Sequence, residues 1–201
     1  MSHDKQDHYY KKAKIQGYRA RSAFKLEQIQ KKFFVIKRGN IVIDLGAAPG
    51  SWTQVASNIV GNKGKVIAVD INYIRPFENE NTIILQVDMR TEAFQTQLRE
   101  LVTEPIDVVL SDLAANTSGN WSLDVERQIF LATIAFETAE EILKPGGNFV
   151  TKVFRGIALK EFEELIRGRF EKIKHWRPPA TRKQSAEEYI VCQGFLPNEQ
   201  E

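Results

Sequence analysis

From Asn40 onward the chain alternates short, apolar, β-branched runs with longer amphipathic segments, the pattern of a parallel sheet assembled from βαβ units. The runs Ile41-Val42-Ile43, Val66-Ile67-Ala68-Val69, Thr82-Ile83-Ile84-Leu85, Ile106-Asp107-Val108-Val109-Leu110 and Asn148-Phe149-Val150-Thr151-Lys152-Val153 predict five strands, and residues 172–175 and 188–194 predict two more. Helices are predicted over 52–60, 92–101, 123–143 and 159–167. Lys144-Pro145-Gly146-Gly147 closes the longest of them, because Pro cannot continue a helix and Gly tolerates positive φ. Ahead of the sheet, residues 21–32 carry Phe24, Leu26 and Ile29 at helical spacing and read as a helix laid beside it. No repeat or long linker divides the chain. The expected organisation is one domain over 1–201: a basic extension with its helix over 1–38, a core over 39–194, and a frayed tail over 195–201.

Composition narrows this picture. With 201 residues, 42% hydrophobic and 27% charged, the chain has apolar content for a real core, which excludes intrinsic disorder. No stretch approaches the roughly 18 apolar residues of a membrane span, and the start of the chain is polar where a signal peptide is apolar. A cytoplasmic protein with no membrane association is expected. The single cysteine, Cys192, follows the apolar run Tyr189-Ile190-Val191 and reads as a buried thiol, so disulfides and a cysteine metal cluster are set aside.

Charge is uneven beneath a net +2. Residues 1–38 hold eleven Lys/Arg against three Asp/Glu, residues 39–164 hold ten against eighteen, and residues 165–183 return to seven against one. Basic ends around an acidic middle suit a polyanion-binding surface flanking a neutral or cationic ligand. A single basic run is as readily a solvated face. Aromatics in both basic zones (Tyr9, Tyr10, Tyr18 and Phe24; His175 and Trp176) favour a nucleic acid, whose bases stack on such rings.

Candidate ligand chemistry lies at the strand ends. The first strand runs into Asp44-Leu45-Gly46-Ala47-Ala48-Pro49-Gly50-Ser51-Trp52, a small-residue loop that opens a helix and lets backbone approach a ligand. The dinucleotide fingerprint G-x-G-x-x-G is absent, which disfavours pyrophosphate binding and a dehydrogenase. Asp70 ends the second strand, where an acid accepts from ribose hydroxyls. Asp88 follows the third, placed to accept from an exocyclic amine. Each alone is as readily a turn or a solvated carboxylate. Their joint order describes an adenosine pocket without phosphates, which S-adenosylmethionine fits.

Asp112 follows the fourth strand at the edge where ligands bind in open α/β sheets. Lys152 sits inside the apolar run of the fifth, where a lysine is costly unless paired, and Asp112 on the neighbouring strand is the natural partner. The alternative is a snorkelling edge residue. Glu187 and Lys25 are placed to close the set from either side.

These stretches resemble the FtsJ/RrmJ family of RNA ribose 2′-O-methyltransferases. The resemblance covers about residues 7–194 and rests on Tyr18-Arg19-Ala20-Arg21-Ser22-Ala23-Phe24-Lys25-Leu26, the loop 44–52, Ser111-Asp112-Leu113-Ala114-Ala115-Asn116-Thr117-Ser118-Gly119, Thr151-Lys152-Val153-Phe154 and Ser185-Ala186-Glu187-Glu188-Tyr189. It implies a Rossmann-like methyltransferase fold, a mostly parallel seven-stranded sheet with helices on both faces. It also implies a catalytic set of Lys25, Asp112, Lys152 and Glu187, cofactor contacts at Gly50, Trp52, Asp70, Asp88 and Asp112, and no metal. Two positions depart from the family pattern: Ala115 stands where Pro is usual, predicting a looser loop after Asp112, and Ser51 stands where a second Gly is usual.

The substrate the resemblance implies is RNA, a uridine of large-subunit ribosomal RNA first, with the tRNA anticodon loop as the alternative because of the basic opening His8-Tyr9-Tyr10-Lys11-Lys12-Ala13-Lys14. A non-catalytic RNA- or ribosome-binding protein is the competing class; the filled four-residue set disfavours it. Phosphate contacts are expected from Lys11, Lys12, Lys14, Arg19 and Arg21 at one end and Arg167, Arg169, Lys172, Lys174 and Arg177 at the other. No DNA partner is expected, and no long apolar surface stripe points away from a monomer.

Overall fold

A computed structural model describes residues 3–197, with side chains from His8 onward. Seven strands form one sheet: β1 (Ile41–Leu45), β2 (Lys65–Asp70), β3 (Thr82–Gln86), β4 (Ile106–Ser111), β5 (Leu143–Phe154), β6 (Phe170–Trp176) and β7 (Glu187–Phe195), in the order β3-β2-β1-β4-β5-β7-β6. The first five are mutually parallel, and β7 enters antiparallel between β5 and β6. The helices are α1 (His3–Ile15), α2 (Ala23–Phe33), α3 (Ser51–Val60), α4 (Glu92–Leu101), α5 (Trp121–Ile142) and α6 (Leu159–Ile166).

Alternation along the strands sends Ile43, Leu45, Val109, Phe149 and Ile190 to a core beneath α4, α5 and α6. The intervening Val42, Val108, Leu110, Val150 and Tyr189 pack beneath α2 and α3. Both faces are therefore covered, as a parallel sheet requires. Cys192 is fully buried, and burial pushes its thiol well up. Among the described residues no helix is long and apolar enough to cross a membrane.

Three features depart from the sequence pattern. Residues 3–15 form α1, which sequence left within an extension; of its described side chains, Tyr9 and Ala13, one helical turn apart, meet Phe24, Tyr18 and Ala180. The connection 71–81 between β2 and β3 holds no helix, and Ile74 and Phe77 cover the sheet there in its place. At the other end, Phe195 is not part of a frayed tail: it closes β7 and is buried against Phe170. The last four residues of the expected tail, 198–201, lie outside the described residues. Strand β5 begins directly at Leu143, and residues 144–147 form an irregularity in its pairing with β4.

Candidate active site

The carboxyl ends of the parallel strands bring the ligand-type residues to one edge. Gly46, at φ +73°, turns the chain out of β1, and a Cβ there would lie 2.5 Å from Leu113 Cδ2. The loops after β1 and β4 thus meet face to face because this position has no side chain. Between them and the ends of β2 and β3 lies a cavity of about 620 Å³, lined by Gly46, Asp70, Asp88, Asp112, Asn116 and Phe130 among others.

Each acid at this cavity is held differently. Asp70 accepts from the Ala48 N–H at 2.9 Å, tying the β1 loop to β2, and from the Asn72 main-chain N–H at 2.7 Å. Asp88 is gripped by the Arg90 guanidinium at 2.5 and 2.9 Å, which holds its carboxyl down at about 2. Burial raises Asp112, but the Lys152 ammonium, reinforced by Lys25 and the Tyr189 hydroxyl, leaves it below the ordinary carboxylate range. Beneath this layer Asp44 is fully buried. One oxygen accepts from Thr53 Oγ1 at 2.6 Å while Oδ1 has no partner, and burial with Asp112 and Asp70 nearby lifts its carboxyl to about 7.

Gly50 and Trp52 are placed elsewhere. Neither lines the cavity: a Cβ on Gly50 would meet Phe77 and Arg19. The Trp52 indole is buried against Tyr189 and donates to the Ser22 carbonyl at 2.9 Å. Ser51, where the family usually has Gly, bonds the Ser22 hydroxyl at 2.7 Å. Together these two contacts clamp α3 to the start of α2, the helix that carries Lys25.

All four residues of the expected catalytic set come together. Lys152, 3% exposed, places Nζ 3.2 Å from Asp112 Oδ1 and donates to the Asp112 carbonyl at 2.8 Å. Lys25 pairs with Glu187 at 2.9 Å. Tyr189 stands between the pairs: its hydroxyl donates to Asp112 Oδ1 at 2.7 Å, and Lys25 Nζ lies 5.7 Å from its ring centroid. Glu188 points the other way, to Arg155 and His175, as strand alternation requires, which places Glu187 and not its neighbour at the site.

Two positioning residues escaped sequence reasoning. Tyr189 carried no assigned role, although its position two residues past Glu187 puts both on one strand face. Gln128, fully buried on α5, donates to the carbonyls of Lys152 and Leu113 at 3.0 Å each and accepts from the Ala115 N–H at 3.0 Å. The loop after Asp112 is therefore not loosened by Ala115. Proline has no N–H to give, so this bond exists because the position departs from the family pattern.

Several expected phosphate contacts are engaged within the protein. Arg169 pairs with Glu140, and Arg167 with Glu164. Arg177 braces the carbonyls of Arg182, Lys183 and Ser185. Arg19 ties Pro49 and Pro76 together and lies over the Phe77 ring. Lys172 and Lys174 remain exposed on β6.

A sheet with one antiparallel strand inserted between β5 and β6, with acids at the ends of β2 and β4 around a cavity, defines a Rossmann-like S-adenosylmethionine-dependent methyltransferase. The family model for FtsJ-like methyltransferases matches residues 18–195, and the chain belongs to that family. It is 49% identical over 197 residues to the ribosomal RNA large subunit methyltransferase E of Methanosarcina mazei, covering 98% of this chain and 72% of that protein. The protein of the same name from Methanocaldococcus jannaschii is 45% identical, covering 95% and 79%. Among solved structures, one described as a ribosomal RNA methyltransferase from Plasmodium falciparum superposes with a TM-score of 0.80 at 28% identity, over 90% of this chain and 100% of that one. Aeropyrum pernix fibrillarin, solved with bound S-adenosyl-L-methionine, shares the fold with a TM-score of 0.61 at 20% identity, over 85% and 76%.

Proposed function

We propose that this enzyme methylates the 2′-hydroxyl of a ribose, that of a uridine, in large-subunit ribosomal RNA. The observation that carries the reading is the Lys152–Asp112 pair at the rim of the cavity, with Lys25–Glu187 closing it from α2 and β7. The names of the archaeal relatives, at 45% and 49% identity, support the ribosomal substrate.

The residues present fit S-adenosylmethionine. Asp70 suits the ribose hydroxyls, Asp88 the exocyclic amine, and Asp112 with the Gly46 loop the remainder, while the missing Cβ of Gly46 keeps the loops close without filling the cavity. When bound, the cofactor supplies a methyl group on a sulfonium. A ribose hydroxyl is a weak nucleophile, so the protein must orient it and help remove its proton. Asp112 occupies two directions of the Lys152 ammonium, through its carboxylate and its carbonyl, and so fixes where the third points. With its amine neutral, Lys152 would accept the hydroxyl proton along that third direction, the sulfonium releasing its methyl as the O–CH₃ bond forms; as the ammonium it would steer the oxygen lone pair, the proton then passing to water. Glu187 holds Lys25 at the entrance from α2, and Tyr189 keeps Asp112 ionised and oriented. No metal enters this scheme.

The test is transfer of labelled methyl from S-adenosylmethionine to naked ribosomal RNA, ribosomal subunits and tRNA, each from cells lacking the modification, followed by nucleoside identification. Labelled 2′-O-methyluridine from the large-subunit pool is expected. Label in tRNA alone would replace the substrate, and label on a base would overturn the chemistry.

A further inference from the structure

Trp121 opens α5 with 52% of its surface exposed, its indole lying on the Phe154 ring at a centroid distance of 5.9 Å and an interplanar angle of 17°. An exposed tryptophan stacked nearly parallel on a second ring leaves its other large face open to solvent, although large rings gain most from burial. No role in the fold or in the scheme above accounts for its exposure.

The pair is tied to the reacting centre from both sides. Phe154 is two residues beyond Lys152 on β5 and stands opposite Glu187 in the pairing with β7. Trp121 ends the same loop that begins at Asp112 and lines the cavity as far as Asn116. That loop is held firmly: Asp124 accepts from both the N–H and the hydroxyl of Ser118 at 2.7 Å, and the Asn120 side chain caps α5. On the other side, Gly156 packs so closely that a Cβ would lie 2.6 Å from Val125 Cγ1, which draws the segment after β5 onto α5. That segment presents Ile157, 91% exposed, and Arg155, whose guanidinium is anchored on Glu188 at 2.7 Å while most of its side chain faces solvent.

We propose that Trp121, backed by Phe154, is a stacking platform for an unpaired base of the RNA, that of a nucleotide adjoining the acceptor ribose, with Arg155 beside its phosphate. The inference rests on the RNA methyltransferase reading and extends it to substrate positioning. A ribose presented to Lys152 carries its bases one glycosidic bond away, so a flat aromatic surface next to that lysine is where a splayed base finds a partner. A cation that follows Phe154 directly in the chain and leaves most of its side chain in solvent suits a nucleotide better than an apolar protein segment does. Because every base has a π-face, the platform supplies affinity and placement and does not read sequence.

Trp121→Ala and Trp121→Phe test this, with methylation of naked ribosomal RNA and binding of a short single-stranded oligouridylate as the two readouts. Trp121→Ala raises the KM for RNA about tenfold, leaves the kcat at saturating RNA and the cofactor affinity unchanged, and Trp121→Phe restores most of the loss. Oligouridylate quenches the tryptophan emission of the wild type and quenches that of Trp121→Phe much less, since Trp52 is buried and Trp176 half-buried. An unchanged KM in Trp121→Ala, or binding of the oligonucleotide without quenching, overturns the platform. So does a variant that keeps its affinity for naked RNA and loses it only for the assembled particle, which would assign the surface to a ribosomal protein. Quenching by a wild type that methylates no RNA keeps the platform and overturns the enzymatic reading instead.

Discussion

The two halves of the active edge are built by different means. At the ends of β2 and β3 the acids are fixed from nearby in the chain: Asp70 by Asn72, two residues on, and by Ala48, 22 residues back, and Asp88 by Arg90, two residues on. At the ends of β4, β5 and β7 the charged groups meet across the chain, Lys152 with Asp112 at a separation of 40 residues, Tyr189 with Asp112 at 77, and Lys25 with Glu187 at 162. The proposed cofactor cavity is complete with β1 to β3, the loop after β4 and α5, whereas the proposed acceptor site exists only once β5, β7 and α2 have closed on it as well. Substitutions in the first half should therefore alter binding one contact at a time, and those in the second should alter turnover through their neighbours.

The strongest way to break that contrast is Lys152→Ala. Loss of the positioned proton acceptor should lower kcat by about 10²- to 10⁴-fold while cofactor affinity, measured by calorimetry, stays at the wild-type value. Parallel loss of cofactor binding would mean that the two halves are one site. Asp112→Ala, by contrast, should damage both, since it also lines the cavity and would leave the Lys152 ammonium buried without its carboxylate, a loss of about 3 to 5 kcal/mol.

Asp44 lies beneath the cofactor half and gives the next largest effect. Its folded carboxyl is raised from 3.8 to about 7, first by burial and then by Asp112 and Asp70. The folded state therefore holds a proton that the unfolded chain releases, so stability is full below about pH 4 and is lost as pH rises to about 7. Between pH 5 and pH 8 this amounts to at most about 3 kcal/mol. Urea melts should show the wild type losing stability over that interval and Asp44→Asn losing much less. An equal slope in both proteins would place the titration elsewhere.

The same contrast governs what could be read from sequence. Seven strands and five of the six described helices follow from periodicity, because each apolar strand run is short and β-branched and each of those helices repeats its apolar positions at helical spacing. Asp70, Asp88 and Asp112 followed from their places at strand ends. α1 was hidden because its described apolar contacts reduce to Tyr9 and Ala13 on an otherwise charged segment. Lys25 and Glu187 were suggested as flanking residues, but their pairing with each other depends on the antiparallel entry of β7, which no local pattern announces. Trp52 is a cofactor contact only by the resemblance, and its indole is spent in closing the gap between α3 and β7. Gln128 was invisible, since a lone glutamine on a helix carries no sign that it faces a bare strand carbonyl.

Tyr189→Phe sharpens the coupling within the acceptor half. The ring keeps its packing on Trp52, but Asp112 loses a donor at 2.7 Å. A hydrogen bond to a charged group is worth about 1.5 to 3 kcal/mol, so kcat should fall by about one to two orders of magnitude with the RNA KM unchanged. Because that donor holds the Asp112 carboxyl down, its removal raises it, and the acidic limb of the pH–rate profile should move to higher pH. A fall in kcat with an unmoved acidic limb would assign Tyr189 to packing alone.

The smallest effect belongs to the most local contact. Arg90 grips Asp88 on the surface, and such exposed pairs add little to stability, so Arg90→Gln should leave the melting temperature unchanged. The gripped carboxylate, however, is the one we propose accepts from the cofactor's exocyclic amine, and the guanidinium competes for the same lone pairs. Releasing it lets the Asp88 carboxyl rise from about 2 toward 3.8, which still leaves it ionised at neutral pH. The variant should therefore bind S-adenosylmethionine somewhat more tightly, by less than about tenfold, with kcat unchanged. Weaker binding in this variant would show that Arg90 orients Asp88 for the ligand and that even the local half of the site depends on its internal pairs.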